Sequence, residues 1–550
     1  MTLHKLSAGS GYEYLTRQVA ALDSTEKGRT TLADYYSARG ESPGRWVGSG
    51  VVGLDGPEVG DVVTAEQMKH LFGTGSHPLT GEPLGAAYKV YDNTGVDGFN
   101  AEVARRVRAT GESKQPYDVL ARRRSEVARE RFVAEQGREP GSARELSDAL
   151  ARYSRPRQTA VAGYDLTFSP VKSVSALWAA APREVAEVIE AAHDAAVRDA
   201  LAFIESEVLF TREGRNGARQ VETRGLIATA FTHRDSRAGD PDLHTHVAVA
   251  NKVQTREGKW LSIFGKVLHE HVVAASETYN TALERRLTEA LGVQFTERPG
   301  TPRDKRPVRE IEGVDRALCE SWSKRRSDIV TRQRELSREF QKAHGRPPTP
   351  TEAVALAQQA NLETREPKHE PRSHAEQRSS WRGQAVNMLG SEQAAARMVS
   401  AALHPAPRTQ RQVTAAWVRE AASRVVAELE GRRATWQIQH VRAEAQRQVR
   451  DVAVPADRLS EVVEWVVDDV LGRLSVNLSP DLDPVAEPAR LRRSDGQSVY
   501  RHTGRDRYTS QRIIDAEQRI VALAGDGCGF AWSADDVELS VLAARLDDAT

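Results

Sequence analysis

The chain has 550 residues, of which 39% are hydrophobic, and its 77 basic and 77 acidic residues cancel. This length predicts about three to four domains. The protein is expected to be soluble, because no apolar run is long enough to span a bilayer. The two cysteines, Cys319 and Cys528, exclude a disulfide scaffold or a cysteine-rich zinc module and favour a reducing cytoplasm. The balanced total charge does not by itself indicate a nucleic-acid partner.

The first 36 residues contain four of the chain's twelve tyrosines: Tyr12, Tyr14, Tyr35 and Tyr36. No apolar segment at the N-terminus marks the chain for export. A phenol can act as a covalent nucleophile when a base or an electropositive site activates it. Tyrosines more often pack in cores or interfaces, and their spacing does not decide between the two roles.

The next feature is a basic stretch between Ala101 and Ala160, with 14 Lys/Arg against 9 Asp/Glu. It includes the run Arg122, Arg123 and Arg124. Such a stretch can follow the phosphates of a nucleic acid. A solvated helix with mixed charges explains it equally well, so both interpretations stay open.

Short β-like segments and helices alternate over the following residues. The sequence AGYDLTF predicts a strand at 162–168, and SPVKSVS predicts a turn into a helix. A long amphipathic helix is predicted from Pro182 to about Val208.

Three histidines then fall on a predicted hairpin. His233 lies near the end of the segment GLIATAFTHRD, and His244 and His246 follow the turn residues SRAGDPD. Residues two apart on a strand project to the same face, and a turn near Gly239 brings His233 level with the other two. Three imidazoles on one face predict a metal site with positions left open for water or substrate. Polar residues on the solvated face of a strand are the alternative, because a His-x-His pair alone is a weak signal.

Beyond about residue 300 the sequence is rich in Ala, Arg and Glu and predicts helices, with breaks at 345–353, 365–374 and 477–490. No GxxxxGK[ST] phosphate loop occurs in the chain, and GDGCGF at 525–530 does not substitute for one. The sequence therefore predicts no ATPase motor.

Three motifs together resemble one family. AGYDLTFSPVKSVS, the histidine segment followed by VANKVQTREGKW, and the tyrosine pairs before GRWVGSG are similar to the TrwC/TraI conjugative relaxases, also called MobF relaxases. The resemblance covers about residues 1–300. It implies an α+β HUH-endonuclease fold, with a central antiparallel sheet flanked by helices and followed by a mainly helical C-terminal region.

The resemblance also implies roles for residues. His233, His244 and His246 match the metal triad, and Asp165 matches a carboxylate that orients a ligand histidine or helps to deprotonate the tyrosine. Lys172 and Ser173 follow at the start of a helix, where a phosphate can be held. A plain N-terminal helix cap is the alternative for these two residues.

The attacking tyrosine has two candidates, because Glu13 separates two tyrosines that stand side by side in many relatives. Matching the following LTRQVA selects Tyr14, whereas matching the preceding glycine selects Tyr12. We favour Tyr14. The pair Tyr35 and Tyr36 matches without a gap and is predicted to perform the later transesterification that ends transfer.

The resemblance implies that these groups perform a DNA-nicking and strand-transfer reaction at a plasmid origin of transfer, with a 5′-phosphotyrosine intermediate and later religation. The expected cation is Mg²⁺ or Mn²⁺, with Zn²⁺ or Ni²⁺ as alternatives. Expected partners are single-stranded origin DNA, relaxosome accessory proteins and a coupling protein. Trp46, Trp178 and Trp260 are candidate platforms for stacked bases, although tryptophans more often lie in cores.

Three regions are predicted: a relaxase domain at 1–300, a helical DNA-binding or accessory region at 301–480, and at 481–550 an approach to a RecD-like helicase module that lacks the phosphate loop. The expected explanations for the missing phosphate loop are a truncated form or a relaxase whose helicase lies further on. Two other functions stay open, a rolling-circle replication initiator of the same HUH class and a non-catalytic DNA-binding scaffold.

Overall fold

The computed structural model describes residues 1–16, 42–109, 117–155, 157–301, 305–365, 372–479 and 487–525. Its strands are β1 (Thr2–Ser7), β2 (Arg45–Val47), β3 (Val161–Phe168), β4 (Phe210–Glu213), β5 (Arg219–Glu222), β6 (Ala228–Asp235), β7 (Pro241–Ala250), β8 (Val253–Gln254), β9 (Trp260–Leu261), β10 (Phe295–Glu297), β11 (Arg309–Ile311), β12 (Arg411–Gln412), β13 (Val452–Ala453), β14 (Val476–Asn477) and β15 (Tyr508–Thr509).

The α-helices of the first 300 residues are α1 (Glu13–Thr16), α2 (Ala65–Met68), α3 (Thr94–Arg108), α4 (Tyr117–Gln136), α5 (Ala143–Tyr153), α6 (Lys172–Ala180), α7 (Arg183–Glu207), α8 (Gly265–Glu270) and α9 (Val272–Leu291). Those that follow are α10 (Arg316–Ser321), α11 (Lys324–His344), α12 (Pro350–Glu363), α13 (His374–Leu389), α14 (Glu392–Leu403), α15 (Ala415–Glu430), α16 (Ile438–Gln448), α17 (Leu459–Asp469) and α18 (Gln511–Gly525).

The central element is a five-stranded sheet with strand order β1-β3-β7-β6-β2. Every neighbouring pair in it is antiparallel. A tight turn joins β6 to β7, in which Gly239 adopts φ +75° and donates its N–H to the carbonyl of Ser236 at 2.9 Å. The predicted strand at 162–168, the helix after it, the helix from about Pro182 and the hairpin near Gly239 are all confirmed.

One face of the sheet lies against helices α6, α7 and α9. Its side chains alternate along β7, where Leu243, Val247 and Val249 enter the main hydrophobic core while His244, His246 and Ala248 turn the other way. Phe168 of β3 packs against Tyr279 of α9 in this core, with ring centroids 5.3 Å apart. The core therefore holds β3 and β7 from the helical side.

The opposite face carries a smaller core from the N-terminal part of the chain. Tyr12, Trp46 and Phe72 are buried there beside Phe231 of β6. Gly163 of β3 has no side chain at the point where the Phe72 ring approaches, and a Cβ atom there would lie 2.9 Å from that ring. The site lies on this same face.

Two further groups of helices have their own cores. Helices α3, α4 and α5 pack around Phe99, Val127 and Phe132. Helices α15, α16 and α17 form a second core, and α16 also contacts α9, since the Thr281 hydroxyl donates to the carbonyl of Gln446 at 3.0 Å. The predicted helical C-terminal region is thus confirmed. None of the described helices is both long and apolar enough to span a membrane.

Candidate metal centre and nucleophile

The β6–β7 hairpin brings three histidines together. His233 pairs directly with His244 across the two strands, and His246 lies two residues further along β7 on the same face. Their ring centroids are 5.0 to 5.2 Å apart. One ring nitrogen from each histidine lies within 4.8 Å of the other two. The hairpin register therefore produces the convergence that the sequence predicts.

The rings are oriented by hydrogen bonds to their Nδ1 atoms. His246 Nδ1 lies 2.8 Å from Asp165 Oδ2, and His244 Nδ1 lies 2.7 Å from the carbonyl oxygen of Asp242. Because both acceptors call for an N–H at Nδ1, Nε2 of each ring keeps a free lone pair. Burial lowers the pKa of His244, which favours the neutral ring that binds metal. The three residues therefore fit a divalent cation.

Asp165 joins the histidines to a tyrosine. It lies on β3, is 2% exposed, and accepts hydrogen bonds from His246 and from the hydroxyl of Tyr14. The Tyr14 ring also meets the His246 ring edge-on, with centroids 5.9 Å apart. Burial, the Asp165 charge and this hydrogen bond raise the pKa of Tyr14 above its usual range. The phenol keeps its proton and points it at the carboxylate.

Tyr12 and Tyr14 differ in environment although they are two residues apart. The Tyr12 side chain is 6% exposed and packs against Phe72 in the N-terminal core, with ring centroids 6.2 Å apart. Tyr14 is 38% exposed and contacts Asp165. Only the second side chain combines access from solvent with a contact to the histidine centre.

Thr167 is a further member of the site that was not predicted from the sequence. Its hydroxyl donates to Asp165 Oδ1 at 3.4 Å and lies 3.2 Å from His246 Nδ1. The signal was present, because Thr167 follows Asp165 by two residues on a predicted strand and so shares its face.

The comparison that decides the family covers most of the chain. The model of the TrwC relaxase family matches residues 8–388. The chain belongs to this family. Membership agrees with the predicted α+β relaxase fold and with the antiparallel sheet described above.

Individual relaxase relatives match more narrowly. The multifunctional conjugation protein TraI of Escherichia coli is 31% identical over 179 residues, which cover 28% of this chain and 10% of that protein. TraI of Escherichia coli strain K12 is 30% identical over the same length and coverage. The match thus spans about a tenth of the length of these curated relatives.

Among solved structures, similarity extends to conjugative relaxase TrwC in complex with oriT DNA. A metal-bound structure has 21% identity and a TM-score of 0.43, and covers 71% of this chain and 99% of that one. A metal-free structure has 22% identity and a TM-score of 0.40 at the same coverage.

The second tyrosine pair predicted for this relaxase family member, Tyr35 and Tyr36, lies outside the described residues.

Lys172 and Ser173 make internal contacts at the start of α6. The Lys172 ammonium donates to the carbonyl of Pro241 at 2.6 Å. The Ser173 N–H donates to a Glu310 carboxylate oxygen at 3.0 Å, and its hydroxyl accepts from the N–H of Ile311 at 2.8 Å. The alternative in which these two residues cap the helix is wrong, because Val171 occupies the N-cap position without a side-chain cap bond and Ser173 instead holds β11. A phosphate contact would have to displace these partners.

The arginine run lies on α4, away from the sheet. Arg122 and Arg123 both approach Glu126, at 4.0 and 2.6 Å, and Arg124 lies over the ring of Phe99 at 6.0 Å from its centroid. These contacts match the solvated, mixed-charge helix of the sequence analysis, and a role in DNA binding stays a prediction.

The candidate stacking tryptophans divide into two kinds. Trp46 and Trp178 are completely buried in the two cores of the sheet, so the core alternative holds for both. Trp260 is half-buried on β9.

Proposed function

We propose that this chain is a conjugative relaxase that nicks one DNA strand at a plasmid origin of transfer through attack by a tyrosine. The single observation that carries the proposal is the hydrogen-bonded chain from Tyr14 through Asp165 to His246, which ends at the three-histidine centre. Family membership supports the same activity. A nucleophile, a proton acceptor and a cation site are then adjacent, as phosphoryl transfer requires.

The cation would be held by His233, His244 and His246. Bound there, a divalent ion supplies Lewis-acid stabilisation of the charge that develops on a phosphate. Mg²⁺ or Mn²⁺ is proposed, with Zn²⁺ or Ni²⁺ as alternatives. Asp165 contributes by accepting the Nδ1–H of His246, which fixes that ring with Nε2 turned away from the carboxylate.

Asp165 also serves the nucleophile. As the Tyr14 oxygen forms its bond to phosphorus, the phenol proton passes to the hydrogen-bonded Asp165 carboxylate. The bond from phosphorus to the 3′ oxygen breaks, and that oxygen takes up a proton and leaves as a 3′-hydroxyl. The product is a 5′-phosphotyrosine ester, which keeps the energy of the broken phosphodiester bond.

Because the ester conserves that energy, the step is reversible and needs no nucleotide. Attack by a 3′-hydroxyl on the ester rejoins the strand and returns the proton to Tyr14. Tyr35 and Tyr36 are proposed to perform a second transesterification that ends transfer, which makes the chain a strand transferase as well as a nickase.

The proposed substrate is a single-stranded stretch of the origin. The 38% exposure of Tyr14 leaves the nucleophile open to a strand that passes over the histidine face. Accessory proteins of a relaxosome and a coupling protein are proposed partners. These partners would regulate the chemistry of the cation centre, Asp165 and the tyrosines.

The test uses fluorescently labelled single-stranded oligonucleotides that tile the transfer origin of the element encoding this chain. With Mn²⁺ or Mg²⁺, we expect one oligonucleotide to be cut at one position, with its 3′ portion attached to the protein on a denaturing gel. A chelator should abolish both signals, and the added cation should restore them.

Other outcomes separate the competing functions. Binding of the oligonucleotides without any cut or adduct would overturn the proposal in favour of a non-catalytic DNA-binding scaffold. Adduct formation only with oligonucleotides from a replication origin would overturn it in favour of a rolling-circle initiator.

A further inference from the structure

A histidine outside the metal centre lies beneath the strand that carries two of the three centre histidines. His193 of α7 is completely buried, and both of its ring nitrogens have partners. Nδ1 lies 2.8 Å from the hydroxyl of Tyr279 on α9, and Nε2 lies 2.8 Å from the hydroxyl of Thr245 on β7. Burial lowers the pKa of His193 to about 3, so the ring is neutral and one nitrogen donates while the other accepts.

Thr245 stands between His244 and His246 but points to the opposite face of β7. It pairs with Thr232 of β6, and the two hydroxyl oxygens are 2.9 Å apart. The neighbouring pair in the same ladder is His233 with His244. The polar network on the core face therefore lies directly behind the point where the histidines meet.

This network opposes any displacement of β7 against the helices or against β6. The surrounding core is apolar, so a displaced Thr245 would leave the buried ring of His193 without one of its two partners. A shift by one residue would turn the histidines into the core, because side chains alternate along a strand. A shift by two residues would separate Thr245 from Thr232 and His233 from His244.

A second helix holds the beginning of the same strand. The hydroxyl of Ser175 on α6 accepts the N–H of Leu243 at 3.2 Å, and the Lys172 ammonium donates to the carbonyl of Pro241. These bonds locate the backbone of β7 before the histidines. The bond from His193 on α7 reaches β7 at Thr245, between the two histidines.

We propose that His193 is a positioning residue for the metal centre, which acts through Thr245 to hold β6 and β7 in the register that brings His233 level with His244. This inference rests on the proposed function, because it takes the three histidines to hold a cation. Its consequence is that loss of a hydroxyl on the core face weakens cation binding on the other face.

The experiment titrates the full chain, without DNA, with Co²⁺ and follows the visible absorption of the bound ion. The decisive variant is Thr245→Val, which keeps the shape and β-branching of the side chain and removes only the hydroxyl. We expect Co²⁺ affinity to fall by about 10-fold or more, as for other groups that orient metal ligands from behind. Thr245→Ser, which restores a hydroxyl, should recover most of that affinity.

The matched control is Thr211→Val. Thr211 is also a completely buried strand threonine, and its hydroxyl donates to the carbonyl of Ser262 at 2.7 Å, away from the histidines. We expect both valine variants to lower the melting temperature to a similar extent, while Thr211→Val leaves Co²⁺ affinity unchanged. A purely structural role for Thr245 would make the two variants alike in both measurements.

The His193→Leu and His193→Gln pair tests the residue itself. Leucine should weaken Co²⁺ binding, and glutamine, which can still hydrogen-bond, should weaken it less. If the wild-type chain binds Co²⁺ and Thr245→Val binds it equally well, the positioning role is wrong and the proposed function stands. If the wild-type chain does not bind Co²⁺, the metal centre and this inference both fail.

Discussion

The two faces of the β6–β7 hairpin have opposite properties although they share one backbone. One face presents His233, His244 and His246, which are polar and converge on a point open to the Tyr14 side. The other face presents Leu243 and apolar neighbours that pack against helices. Alternation along a strand turns every second residue toward the histidine centre and every second residue toward the core. Substitutions on the two faces should therefore fail in different ways.

The largest effect is expected at the nucleophile that lies over the polar face. Tyr14→Phe removes the oxygen that attacks phosphorus, so the covalent DNA adduct should fall below detection while binding of the origin oligonucleotide is retained. A denaturing gel measures the adduct, and fluorescence anisotropy measures binding. Tyr12→Phe is the control and should retain the adduct, because the Tyr12 ring packs in the N-terminal core. The opposite pattern in these two variants would assign attack to Tyr12.

The next effect concerns the centre itself. His244→Ala removes one of three imidazoles, and we expect cation affinity to fall by more than about 100-fold, beyond the loss typical of groups that only orient a ligand. Metal-dependent nicking should disappear with it, while the melting temperature of the cation-free chain changes little. Isothermal titration with Mn²⁺ provides the affinity. Nicking that persists unchanged would separate the histidines from the reaction.

A smaller effect is expected for the carboxylate between the histidine and the tyrosine. Asp165→Asn keeps the shape but removes the negative charge and replaces one acceptor oxygen with a donor, so it is a weaker acceptor for Tyr14 and His246 and cannot take up the phenol proton. We expect cation affinity to fall by about 10-fold to 100-fold and the nicking rate to fall further, because the proton acceptor is also lost. The rate of single-turnover nicking at saturating Mn²⁺ separates the two losses.

The matched control for that variant is Asp242→Asn. Asp242 lies two residues before His244, and it orients that histidine through its backbone carbonyl, which the substitution keeps. We expect a much weaker change in affinity. Equal losses of cation affinity in the two variants would mean that the Asp165 effect comes only from a change in local charge.

The core face should show the reverse pattern. Leu243→Ala leaves a cavity beside the helices, and we expect the free energy of unfolding to fall by about 2 to 5 kcal/mol. The nicking rate per folded molecule should stay near that of the wild type, since Leu243 points away from the histidines. Urea unfolding followed by circular dichroism and an adduct assay at low temperature provide the two numbers. A loss of chemistry with no loss of stability would contradict the division between the faces.

The sequence predicted most of the sheet and of the histidine geometry because both follow from local rules. Strand alternation and the Gly-Asp-Pro turn give the register of His233 against His244 without further information. The strand before Lys172 and the long helix from about Pro182 follow from hydrophobic periodicity in the same way.

Other features depend on contacts between distant parts of the chain. The sequence left Tyr12 and Tyr14 open, because only the packed structure determines which ring enters a core and which reaches Asp165. His193 carried no signal, since one histidine on a long amphipathic helix has no pattern that indicates its partners. Ser173 has the residue type of a helix cap. Its hydroxyl instead accepts the N–H of Ile311 on β11, which is distant in sequence.

The most direct test of the account is to identify the amino acid that carries the DNA. The chain is first reacted with Mn²⁺ and the origin oligonucleotide that it cuts. The trapped adduct is then digested with a protease and a nuclease, and the nucleotide-linked peptide is sequenced by mass spectrometry. We expect a 5′-phosphate on Tyr14 when a second cleavage is prevented. A phosphate on Tyr12, on a residue outside the N-terminal tyrosines, or on no residue at all would contradict it.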